Sequence, residues 1–94
     1  MRIGVNGRAM DADNVPLVLK TIERMKAHGL EPFLTNSLAA WLHEREEALP
    51  CPVLPDTEFS RHDLDLCISL GGDGTLLDTV TLVGRSELPV LGIN

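Results

Sequence analysis

The hydrophobic positions change rhythm several times along the chain, and each change marks an expected element. Ile3 and Val5, followed by Asn6-Gly7-Arg8, read as a short buried strand ending in a turn. Val18, Ile22 and Met25 then recur at spacings of three and four, as one face of a helix requires. Asp13 or Asn14 can cap that helix, Pro16 suits its first turn, and Gly29 offers a left-handed stop. Residues 30–35 (LEPFLT) predict a second strand, with Pro32 confined to an early or edge position because it has no N–H to give to a ladder. Ser37 is the expected cap of a second helix over residues 38–49. It puts Leu38, Trp41, Leu42 and Leu49 on one side, Glu44, Arg45, Glu46 and Glu47 largely on the other, and is ended by Pro50.

Val53-Leu54 suggests a short third strand, and Ser60-Arg61-His62-Asp63 has capping-box spacing for a single helical turn. Residues 65–70 give the clearest strand, since Leu66, Ile68 and Leu70 alternate with Cys67 and Ser69, which suit an interior position. Residues 75–83 read as a helix closed by Gly84, and residues 88–93 (LPVLGI) as a fifth strand. Strand and helix alternate throughout, which predicts an α/β domain over residues 1–94. Its expected form is an open parallel sheet of about five strands, with helices on both faces and right-handed crossovers. Asn94 follows directly on the last apolar strand. Because ligands of open sheets bind beyond the carboxyl ends of the strands, further residues after Asn94 are expected at the site.

Composition narrows the class. With 44% hydrophobic residues and no apolar run long enough for a bilayer, the chain reads as a globular protein, and the start of the sequence does not resemble a signal peptide. The net charge of −6 disfavours nucleic acid and anionic membranes as partners. Cys51 and Cys67 match no metal spacing and read as reduced packing residues of a cytoplasmic protein.

The candidate chemistry lies where the clearest strand runs into Gly71-Gly72-Asp73-Gly74-Thr75 and a helix. Glycines let backbone N–H groups approach phosphate oxygens, and the following helix start adds free donors and a positive dipole end. A Walker loop is excluded because Lys20 and Lys26, the only lysines, both precede the segment. The dinucleotide fingerprint also fails, with Leu77 at its third glycine and Asn94 where an acidic residue is expected. Asp73 stands out as a carboxylate in a loop suited to anions. It either holds a divalent cation that bridges to phosphates or accepts the proton of a hydroxyl attacking a γ-phosphoryl group. A simple Asp-Gly turn would need neither the two further glycines nor a helix start in register.

The run Ile68-Ser69-Leu70-Gly71-Gly72-Asp73-Gly74-Thr75-Leu76-Leu77, followed by Pro89-Val90-Leu91-Gly92-Ile93-Asn94, resembles the N-terminal domain of bacterial ATP-dependent NAD kinases. The resemblance is specific over residues 68–77 and 89–94, while residues 1–60 agree only in the order of strands and helices. It implies a three-layer Rossmann-like fold of the phosphofructokinase and NAD kinase type, followed in the family by a β-rich second domain. It also implies transfer of the ATP γ-phosphate to the 2′-hydroxyl of the adenosine ribose of NAD, with a divalent metal, Mg being the first choice. Asp73 would be the proton acceptor and Gly74 would contact NAD, within a nucleotide-binding segment made of Gly71, Gly72, Asp73, Gly74 and Thr75. Many relatives carry a basic residue where this chain has Asp78, so Asp78 receives no binding role. A full-length enzyme is expected to be a homo-oligomer, and the isolated 94 residues are expected to be inactive. Lipid and sugar kinases of the same superfamily share such loops, and a non-catalytic nucleotide-binding module is the remaining alternative.

With strand order 3-2-1-4-5, the reversal of direction falls between strands one and four, which puts Asn6-Gly7-Arg8 beside the glycine segment. Arg8 then either touches a phosphate or is a solvated turn residue. Asn94, at the carboxyl end of the last strand, either contacts substrate or caps the next element. His28, His43 and His62 have no partner at ligand spacing and read as surface residues. Trp41 reads as core or interface, and Asp63 and Asp65 as residues of capping and strand entry.

Overall fold

The computed structural model describes residues 1–8, 12–45, 48–55, 57, 64–84 and 88–93, with Ala12 and Asp73 described by their backbone alone. Within them, β1 (Arg2–Gly7), α1 (Val15–Ala27), β2 (Glu31–Leu34), α2 (Asn36–His43), β3 (Leu66–Leu70), α3 (Asp73–Val83) and β4 (Val90–Ile93) follow one another. The strands form one parallel sheet in the order β2-β1-β3-β4. Direction reverses between β1 and β3, because β1 leads outward to β2 and β3 leads the other way to β4. This is the expected α/β class and the expected reversal.

The strand count is lower than the sequence predicts. Val53 makes only an isolated bridge with Leu34. Leu34 N–H donates to the Pro52 carbonyl and Leu54 N–H donates to the Leu34 carbonyl, both at 2.9 Å. Prolines at positions 50, 52 and 55 interrupt the run of donors that a full strand needs. Pro32 is accommodated for a related reason. The Glu31 amide donates to the carbonyl of Met1, just before β1, and that of Thr35 to the Val5 carbonyl, while that of Leu34 faces the other way, so by alternation the missing donor of Pro32 also points away from β1.

Helices cover both faces. Val15, Val18, Ile22 and Met25 of α1 and Leu38, Ala39, Trp41 and Leu42 of α2 pack on Ile3, Val5, Leu34, Ile68 and Leu70. Each fully buried aliphatic side chain in this layer contributes about 1.5–3 kcal/mol by leaving water. The second, smaller layer holds Leu54, Cys67 and Val83, with Phe33, Leu64, Leu82, Leu88 and Val90 against them. Burial pushes the Cys51 thiol up to about 11, with Lys26 pulling slightly the other way. It pushes the Cys67 thiol up to about 12. Both are free and buried, as the packing role predicts. Leu91 and Ile93 of β4 remain 51% and 40% exposed, so no described element covers that side of the strand.

The boundaries of the second helix differ from those the sequence predicts. The second helix starts at Asn36 and ends at His43, and its cap is Thr35, whose extended backbone lets its hydroxyl accept from Leu38 N–H; Ser37 is already inside the helix. It stops early because Arg45 turns back. Arg45 stacks over the Trp41 ring and donates to the Trp41 carbonyl at 2.8 Å, satisfying a helix-end acceptor. Asn14 occupies the cap of α1 without a side-chain hydrogen bond, and Gly29 takes the expected positive φ of 78°. Glu46, Glu47 and the expected turn at Ser60-Arg61-His62-Asp63 lie outside the described residues.

Candidate functional site

The glycine segment follows β3 at the carboxyl edge of the sheet. Gly71 N–H donates to the Ile93 carbonyl at 2.8 Å, extending the β3–β4 ladder by one bond. The chain then turns with φ of 132° at Gly71, a conformation that L side chains rarely adopt. Space makes the same demand. A Cβ on Gly71 would lie 2.8 Å from Thr75 Oγ1, and Thr75 is buried. Gly72 is the N-cap of α3 and has no side chain to offer its first turn. Thr75 and Leu76 N–H both donate to the Gly72 carbonyl, while helix geometry leaves the amides of Asp73 and Gly74 without intrahelical partners.

The helix therefore begins two residues earlier than the sequence predicts. Asp73, Gly74 and Thr75 form the first turn of α3 rather than a loop before it. Two glycines suffice for the reversal, so the third can already be helical. The side chain of Asp73 and the whole of Asn94 lie outside the described residues.

Asn6 and Arg8 bring β1 to this turn from the neighbouring strand. Asn6 is the buried centre of a polar network. Its Nδ2 donates to Thr79 Oγ1 at 2.8 Å and its Oδ1 accepts from Thr35 Oγ1 at 2.8 Å, while Thr79 Oγ1 donates to the Thr75 carbonyl at 2.8 Å. This chain of bonds fixes α3 against β1 and α2. The sequence places Asn6 in a turn, whereas the structure makes it a strand residue with a buried side chain. The signal available beforehand was a polar residue at the end of an apolar strand, together with Thr75 and Thr79 one helical turn apart.

Arg8 extends over the first turn of α3. Its Nε donates to Asp78 Oδ2 at 2.5 Å, and its guanidinium nitrogen would stand 3.0 Å from a Cβ on Gly74. It is the one Lys or Arg among the described residues that directly follows a strand's carboxyl end. Gly72 has nothing within 4 Å of a Cβ position, so the space beside it is open. His28 and His43 are exposed at helix ends, Trp41 is buried core, and Asp65 accepts from Arg2 N–H at strand entry. Among the described residues no group of three or more His, Cys, Asp or Glu could hold a metal, and no helix is long and apolar enough to cross a membrane.

An open parallel sheet with a glycine turn entering a helix at the reversal of strand order defines an α/β domain of the doubly wound class. Comparison with known sequences is more specific: residues 31–94 match the ATP-NAD kinase N-terminal domain, and the chain belongs to that family. It is 31% identical to an NAD kinase of Cytophaga hutchinsonii, covering 100% of this chain and 32% of the relative. Identity is 33% to an NAD kinase of Flavobacterium psychrophilum, with coverages of 100% and 32%. It is 30% to one of Methanothermobacter thermautotrophicus, with coverages of 100% and 31%. The chain thus spans about a third of the length of these relatives. No solved structure matches it.

Proposed function

We propose that these 94 residues act as the N-terminal domain of a longer kinase that transfers the γ-phosphate of ATP to the 2′-hydroxyl of the adenosine ribose of NAD. The products are NADP and ADP. The observation that carries the reading is the first turn of α3, with Gly71 and Gly72 before it and Arg8 beside it, a turn whose first amides have no partners within the helix. Membership of the ATP-NAD kinase family supplies the reaction class. Asp73 accepts the proton of the ribose hydroxyl as that oxygen bonds to the γ-phosphorus and ADP departs. Gly72 and Gly74 admit phosphate and nucleotide close to the backbone, Thr75 holds the turn, and Asn94, next in sequence after β4, contacts the substrate.

The donor set has no all-protein metal cage among the described residues. It fits a cation that arrives on the nucleotide, since Mg²⁺ is commonly held by one or two carboxylates plus substrate phosphates and water. Such an ion would neutralise charge on the phosphates while Asp73 accepts the proton. Buried, protonated Cys51 and Cys67 suit the reducing cytoplasm, and the full-length enzyme is taken as a homo-oligomer.

The acceptor is tested by incubating the full-length polypeptide with ATP and, in separate reactions, NAD, diacylglycerol or a hexose. Formation of NADP alone is expected. Phosphorylation of lipid or sugar with no NADP would overturn the reading.

A further inference from the structure

Asp78 lies six residues into α3 counting from Asp73, close to where an anion would meet the first turn. Charge alone would make this carboxylate an obstacle to phosphate. Its geometry indicates another role. Asp78 takes the Nε–H of Arg8 at 2.5 Å, so the donors left on Arg8 are those of the two terminal nitrogens. One of these stands 3.0 Å from the position a Cβ on Gly74 would occupy, which lays the guanidinium along the first turn of the helix. Both side chains of the pair are about half exposed, at 54% and 46%. A pair so exposed contributes little to holding the fold together. The buried network from Asn6 through Thr79 to the Thr75 carbonyl already joins β1 to α3 without it.

We infer that Asp78 is a positioning residue: it binds Arg8 through Nε and thereby aims the free end of the guanidinium at the polyphosphate bound by the first turn of α3. Arg8 is the contacting group and Asp78 acts through it. The inference rests on the reading of that turn as a phosphate site. With no lysine in the segment, a single arginine delivered from the adjacent strand supplies the positive charge, and a long side chain does so only when its conformers are restricted. Gly74 belongs to the same arrangement, since a side chain there would press on Arg8.

The sign of one substitution separates this role from simple electrostatics. In the full-length polypeptide, initial rates of NADP formation are measured against ATP and NAD for Asp78→Asn, Asp78→Glu, Arg8→Ala and Arg8→Ala with Asp78→Asn. The dissociation constant of inorganic tripolyphosphate is measured for the same proteins. Removing a carboxylate near an anion site should tighten binding by charge alone. Positioning predicts the reverse: Asp78→Asn raises the KM of a phosphate-bearing substrate and the tripolyphosphate Kd by roughly threefold to fivefold, with a smaller effect on kcat. Asp78→Glu restores most of the loss. In the Arg8→Ala background Asp78→Asn gives no further weakening. Unchanged or lowered KM and Kd in Asp78→Asn would overturn the inference, as would an equal rise with Arg8 absent. If the wild type makes no NADP, the reading of the acceptor fails, while the tripolyphosphate series still decides the role of Asp78.

Discussion

Gly71 and Gly72 are adjacent in sequence, and the structure assigns them opposite reasons for being glycine. Substituting each by alanine tests that difference. At Gly71 the backbone sits at φ 132°, where an L residue costs about 1–3 kcal/mol. The new Cβ would also lie 2.8 Å from Thr75 Oγ1. Thr75 cannot retreat freely, because it is buried and its carbonyl accepts from Thr79, so displacement adds roughly 1 kcal/mol. Gly71→Ala should therefore lose about 2–4 kcal/mol, or roughly 10–20 °C in Tm for a domain of this size. Gly72 has φ −89° and ψ −165°, and a Cβ there has nothing within 4 Å. Gly72→Ala should stay within about 0.5 kcal/mol of wild type, yet weaken tripolyphosphate binding by about tenfold or more, because the Cβ occupies the open side of the backbone cradle. Urea unfolding followed by the fluorescence of Trp41, the sole tryptophan and a buried one, reads the stability of each variant. Equal destabilisation by the two substitutions, or a Gly71→Ala protein as stable as wild type, would refute the reasoning.

Other consequences concern the layer beneath the turn. Asn6→Ala removes the acceptor of the buried Thr35 hydroxyl and the donor to Thr79, which keeps its bond to the Thr75 carbonyl, and should cost about 1–3 kcal/mol in urea unfolding; a loss below about 0.5 kcal/mol would deny Asn6 its central place. Ser69, opposite Asn6 in the β1–β3 register, has a buried hydroxyl with no partner among the described residues. Ser69→Ala should be neutral or stabilising by up to about 1 kcal/mol, and clear destabilisation would reveal an unrecognised bond. Alkaline pH should unfold the chain through its cysteines. Folded thiols at about 11 and about 12 stay protonated where unfolded thiols, near 9, ionise. Stability is then full below pH 9 and falls as pH rises toward 11, by up to about 1.4 kcal/mol per pH unit for each thiol. Urea midpoints that stay flat from pH 8 to pH 10.5 would contradict this.

Much of the fold was legible because its signals are local. Alternation at Leu66, Ile68 and Leu70 and the helical spacing of Val18, Ile22 and Met25 mark strand and helix, and the order of elements then implies a parallel sheet. Val53-Leu54 makes one bridge rather than a strand because apolar pattern does not count lost donors, and the prolines around it remove them. The cap of α2 shifted from Ser37 to Thr35 because capping depends on which hydroxyl follows the last extended residue. At the site, the glycine turn could be read from three glycines after a strand. The tie between Arg8 and Asp78 could not, since it joins residues 70 positions apart through a sheet register that no sequence spacing records. Asn6 was hidden for the same reason.

The central claim is that the first turn of α3 carries the reactive carboxylate of an NAD-phosphorylating kinase. Its most direct test is the rate of NADP formation from ATP and NAD by the full-length polypeptide bearing Asp73→Asn, with NAD and ATP binding measured alongside. The account predicts a rate lower by about 10²–10⁴-fold with both substrates still bound. Near-normal NADP formation by Asp73→Asn would contradict it.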